Sequence, residues 1–138
     1  MNINYKSPGA LEETRFEKIH SVIFNDSKQA SKIVAQEIAD LIKNKQKQNK
    51  NCVLGLATGS SPISVYQELV RMHIEEGLSF KNVITFNLDE YFPMDKDDIN
   101  SYHHFMGIHL FDHIDIDKKN IHIPNGKISK EKINEYCA

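Results

Sequence analysis

Apolar residues along this chain follow two rhythms. Ala30, Ile33, Val34, Ile38, Leu41 and Ile42 recur at three- and four-residue steps, which predicts a helix from Ser27 to about Lys45, with Asn25-Asp26-Ser27 as capping residues. Tyr66, Leu69, Val70 and His73 trace one face of a second helix, which Gly77 ends. A third helix is expected from Ser101 to Phe111, and a fourth begins near Ser129. The other rhythm is a short unbroken apolar run. CVLGLA (Cys52 to Ala57) and VITFNL (Val83 to Leu88) do not alternate, which suits strands of a parallel sheet covered on both faces. His20 to Phe24 has strand character through Val22, Ile23 and Phe24, and IHIP is extended ahead of an Asn125-Gly126 turn. The order β-α-β-α-β-α predicts an open α/β fold with a parallel sheet and right-handed crossovers, in which ligands gather at the carboxyl ends of the strands.

Two polar clusters stand at such strand ends. Thr58, Gly59, Ser60 and Ser61 lie where CVLGLA hands over to the second helix, with Ser61 expected as the N-cap and Pro62 at the first helical position. The first amides of a helix lack internal partners and carry about half a positive charge, so a small-residue loop with hydroxyls there suits a phosphate. The same loop is equally readable as a capped turn that binds nothing. It matches neither the dinucleotide fingerprint nor the nucleotide-triphosphate loop. Asp89 and Glu90 end the VITFNL run. Neighbouring residues at a strand tip project in opposite directions, so one base is expected at the cleft rather than a carboxylate dyad. A partly desolvated carboxylate there could remove a proton from carbon beside a carbonyl, and an exposed acidic turn is the alternative.

Composition narrows the partners. With 138 residues, 26% charged, and a net charge of −2, the chain suits one compact unit and offers no basic surface for a polyanion. The lysine-dense stretch KNKQKQNK reads as a solvated helix end, so nucleic acid is not expected as a partner. Residues 1–19 form an amino-terminal extension with no secretory pattern, and no apolar run reaches the roughly 18 residues of a membrane span. Cys52 and Cys137 are in neither redox nor metal spacing, and a cytoplasmic protein without a membrane partner is expected. His103, His104, His109 and His113 have metal-like helical spacing, but no carboxylate or cysteine completes a set, and neither metal nor cofactor is expected.

LGLATGSSP and ITFNLDEYF, followed in order by NSYHHFM and LFDHIDI, resemble the glucosamine-6-phosphate deaminase family from about Val53 to Gly126. The resemblance implies a Rossmann-like sandwich with helices on both sheet faces. It also implies conversion of glucosamine 6-phosphate and water to fructose 6-phosphate and ammonia. By this likeness Thr58, Gly59, Ser60 and Ser61 hold the sugar phosphate, and Asp89 is the base that moves a proton between C2 and C1. Glu90 and Tyr91 complete an Asp-Glu-Tyr signature, Tyr102 matches an active-site aromatic position, and all three are expected to bind substrate. The implied partner is a small-molecule sugar phosphate, and the full-length protein is expected to be a homo-oligomer.

The family's later glycine-rich motif with its ring-opening Asp, His and Glu, and its phosphate-clamping Arg and Lys, do not appear before Ala138. Residues 20–138 are therefore expected to be the amino-terminal part of a larger domain, inactive alone. A 6-phosphogluconolactonase-like hydrolase would show Arg where Tyr91 stands. A non-catalytic sugar-phosphate sensor would keep the loop and dispense with the base.

Overall fold

A computed structural model describes residues 23–137. Helix α1 spans Ser27–Lys47, β1 Cys52–Leu56, α2 Ile63–Glu76, β2 Val83–Asn87, α3 Tyr102–His109, β3 Ile121–His122 and α4 Ile133–Tyr136. The three strands form one parallel sheet in the order β1-β2-β3, the α/β architecture that the alternating elements predict. Most of the expected strand at His20–Phe24 lies outside the described residues, and Ile23 and Phe24 are not in a strand.

Local chemistry explains most element boundaries. The Asp26 carboxylate accepts the Lys28 amide at 3.0 Å and caps α1, and Gly77 closes α2 at φ 71°. The third helix is shorter than its pattern suggests. Leu110, at φ −146° and ψ −63°, breaks it after His109, and Phe111–His113 form a separate 3-10 turn.

α1 departs from its apolar pattern in one respect. Val34 and Leu41 are 44% and 43% exposed, whereas Ala35 and Ala39 are fully buried beside Ile33 and Ile42. Small side chains let α1 lie close against its neighbours, so the contact face is centred on alanines that a search for large apolar residues passes over. Tyr66, Leu69 and Met72 of α2, Met106 of α3, and Phe80, Leu110 and Ile116 complete the same core.

The sheet has unequal faces. In register, Cys52 pairs with Val83, Leu54 with Thr85 and Leu56 with Asn87; on this face all but half-buried Leu54 are buried, toward the helices. The alternate positions Val53, Gly55, Ile84 and Phe86 form the other face, where Val53 is 60% and Phe86 49% exposed. His122 of β3 stacks on Phe86 there, with ring centroids 4.5 Å apart. Among the described residues the buried positions of α1, α2 and α3 share one core with Cys52, Leu56 and Val83 of the first face.

Candidate functional site

The register fixes where the two polar clusters lie. Leu56 and Asn87 are Cα partners, and the Asn87 side-chain Nδ2 donates to the Leu56 carbonyl at 3.3 Å. β1 and β2 are parallel and end at the same level, so the loops that follow leave the same edge of the sheet from strands about 4.8 Å apart. Thr58 to Ser61 and Asp89 to Tyr91 therefore begin side by side.

The first loop is clamped at both ends and open between them. The Tyr66 hydroxyl, on a side chain buried in α2, donates to the Ala57 carbonyl at 2.5 Å, tying the first full turn of the helix to the end of β1. Gly59 has φ 102°, a backbone conformation that side chains strain, although a Cβ there would meet nothing within 4 Å. Thr58 is half-buried, and Gly59, Ser60 and Ser61 are exposed. None of the four forms a hydrogen bond to the described residues. The expected Ser61 cap is displaced by one position. Pro62, already helical at φ −78° and ψ −11°, occupies the cap, and no side chain caps α2. The first helical hydrogen bond is Tyr66 N–H to the Pro62 carbonyl, which leaves the amides of Ile63, Ser64 and Val65 without partners among the described residues.

The start of α3 is the reverse. The Glu90 side chain is 1% exposed and accepts the amides of Tyr91 (2.9 Å), Tyr102 (3.0 Å to each oxygen) and His103 (3.3 Å), and the His103 ring at Nδ1 (3.0 Å). Ser101 Oγ accepts the His104 amide at 3.0 Å. All three leading amides of α3 are thus satisfied from within the chain. Desolvation pushes the Glu90 carboxyl up, but the donors at Tyr102, His103 and Tyr91 outweigh it and hold the group below its ordinary value. Of these two helix N-termini, one is thus filled by an internal carboxylate and the other is open.

Asp89 and Glu90 take different environments. Glu90 is turned into the α3 terminus, while Asp89 is exposed rather than partly desolvated, because nothing among the described residues covers it. Tyr91, 54% exposed, lies against Tyr102, with ring centroids 4.8 Å apart and planes tilted by 45°. The Tyr102 hydroxyl, followed by the charges of Asp89 and Glu90, raises the Tyr91 phenol above its usual value. A hollow of about 1100 Å³, lined by Phe111, Ile114, Ile121 and Ile123 among others, lies by β3 and includes neither loop. Among the described residues no group of three or more metal-binding side chains comes together. His113, part of the metal-like spacing, instead places Nε2 3.0 Å from the Ile108 carbonyl.

Sequence reasoning did not identify the α3 cap formed by Glu90, which joins residues 12 positions apart. It also missed Gly126, which is buried against the loop that carries Tyr91. No local pattern marks either contact.

The carboxyl end of the sheet thus carries one open helix N-terminus, one exposed carboxylate and two phenols in tilted contact. The sequence profile described as glucosamine-6-phosphate isomerases/6-phosphogluconolactonase matches residues 25–138, and the chain belongs to that family. It is 48% identical over 136 residues to a glucosamine-6-phosphate deaminase-like protein of Bacteroides thetaiotaomicron, covering 96% of this chain and 20% of that protein. It is also 48% identical over 104 residues to the glucosamine-6-phosphate deaminase of Mycoplasma mycoides, covering 75% of this chain and 41% of that enzyme. Among solved structures, a monomeric glucosamine-6-phosphate deaminase superimposes with a TM-score of 0.74 at 41% identity, covering 82% of this chain and 46% of the other. A 6-phosphogluconolactonase from Thermotoga maritima shares the fold, with a TM-score of 0.65 at 18% identity over 83% of this chain and 50% of that one. The chain thus spans less than half the length of the deaminases it matches.

Proposed function

We propose that this chain is the sugar-phosphate-binding part of a glucosamine-6-phosphate deaminase, which converts glucosamine 6-phosphate and water to fructose 6-phosphate and ammonia. The observation that carries the reading is the Leu56–Asn87 register, which sets the uncapped α2 terminus beside the strand tip that bears Asp89. In this reading the phosphate sits against the loop Thr58–Ser61 and the free amides of Ile63, Ser64 and Val65. It is neutralised by the helix terminus and oriented by hydroxyls. The anchored phosphate holds the sugar so that its C2 proton faces Asp89, which takes that proton and returns it at C1 during the aldose-to-ketose step. Tyr91 and Tyr102 form the adjoining wall. Glu90, which the resemblance casts as a substrate ligand, acts here by fixing that wall, because its oxygens are already occupied by α3.

The reading extends to a cytoplasmic hydrolase that is a homo-oligomer at full length, with these 138 residues alone releasing no ammonia. Support for deamination over lactone hydrolysis comes from Tyr91 and from the 41% identity to a solved deaminase, against 18% to the lactonase. The test uses the full-length protein and its Asp89→Asn variant, with ammonia release and fructose 6-phosphate affinity measured in parallel. Loss of about 10²–10⁴-fold in turnover with affinity retained is expected. Unchanged turnover removes Asp89 from the chemistry. A wild type that binds without releasing ammonia is a sensor, and one that instead opens 6-phosphogluconolactone is a lactonase.

A further inference from the structure

The loop that carries Tyr91 is held from a distance. The Met94 amide donates to the Gly126 carbonyl at 2.9 Å, and the Asp95 carboxylate is paired with Lys127. Both contacts reach the same turn, immediately after β3. Gly126 is buried, and a Cβ built on it would lie 2.5 Å from the Tyr91 carbonyl oxygen and 2.8 Å from both the Cβ and the carbonyl oxygen of Met94. Two of these three obstacles are backbone atoms, so a side chain at Gly126 would have to displace the loop itself. The turn is in turn internally fixed. Asn125 Oδ1 accepts the Lys127 amide at 2.9 Å, the Asn125 carbonyl accepts the Ile128 amide at 3.2 Å, and the Asn125 amide donates to the Tyr136 hydroxyl at 3.0 Å. Its other end runs back through Ile123 and Pro124 to β3, which is in register with β2.

We propose that the Asn125–Lys127 turn braces the Tyr91–Asp95 loop, with Gly126 as a positioning residue that sets where Tyr91 meets Tyr102. The brace transmits the position of β3 to the wall of the cleft, because the turn is anchored to the sheet at one end and to α4 at the other. Its effect on substrate rests on the function proposed above, through Tyr91; its effect on the loop does not.

Amide hydrogen exchange on this chain tests the brace directly. Gly126→Ala is expected to speed exchange at Met94 by about two- to tenfold, the equivalent of one lost hydrogen bond, while the β2 amides keep their wild-type protection. Asn125→Ala, which loosens the turn without crowding the loop, is expected to act in the same direction and serves if the alanine at 126 prevents folding. Exchange at Met94 unchanged in a folded Gly126→Ala variant overturns the proposal, as does unchanged exchange in Asn125→Ala where the first variant does not fold. In the full-length protein, Gly126→Ala is expected to raise KM for glucosamine 6-phosphate more than it lowers kcat, and wild-type values for both overturn the positioning role. A wild type without deaminase activity refutes the proposed function and leaves the exchange result to decide the brace.

Discussion

Replacing Glu90 with alanine removes a buried carboxylate that serves three backbone amides and one imidazole. Hydrogen bonds to charged groups are worth about 1.5–3 kcal/mol each, but water can reach the freed helix end, and loss of a cap typically costs about 1 kcal/mol and at most about 2. Together these give a loss of roughly 2–4 kcal/mol. With a urea m-value of about 2 kcal/mol/M, the unfolding midpoint is expected to fall by roughly 1–2 M, followed by far-UV circular dichroism. Glu90→Gln keeps one acceptor oxygen but turns an NH₂ toward donors, so it is expected to fall between wild type and Glu90→Ala. The sign of the pH dependence follows from the lowered carboxyl. Its contribution is complete above the ordinary value of 4.5 and is lost as pH falls through the lower folded-state value. The stability gap between wild type and Glu90→Gln should therefore hold from neutral pH to about pH 5 and close in stronger acid. A midpoint shift below about 0.3 M for Glu90→Ala, or a gap that ignores acid, would show that the carboxylate does not organise α3.

Two other outcomes are expected. Gly59→Ala meets no steric obstacle but must hold φ near 102°, at a cost of about 1–3 kcal/mol, so the thermal stabilisation of the full-length protein by fructose 6-phosphate should shrink; an undiminished shift would exclude the loop from phosphate binding. Cys52 is 1% exposed and burial pushes its thiol up, with Lys45 only partly opposing, whereas Cys137 is exposed. Iodoacetamide should then add once per native chain and twice after denaturation, and equal native reactivity of both thiols would contradict the buried placement of β1.

Elements governed by local chemistry were legible in the sequence. The periodic apolar positions locate α1 and α2, Asp26 caps the first and Gly77 ends the second, and unbroken apolar runs mark β1 and β2 within one residue. The side-by-side placement of the Thr58–Ser61 and Asp89–Tyr91 loops also follows from strand order, once the sheet is taken as parallel. What escaped depends on contacts between distant residues. Ala35 and Ala39 matter because α2 comes close, not because alanine is strongly apolar. The role of Glu90 is set by an α3 terminus 12 residues away, and that of Gly126 by a loop more than 30 residues earlier. The one-residue shift at Pro62 is of a different kind: its fixed φ already suits the helix, so the boundary rests on which carbonyl accepts first.

Val53 and Phe86, half-exposed among the described residues, have a practical consequence for anyone handling these residues in isolation. A net charge of −2 gives little electrostatic repulsion between molecules, so colloidal behaviour will be governed by that oily patch. Detergent, low concentration or a polar replacement at Val53 should therefore help to keep the chain in solution near neutral pH.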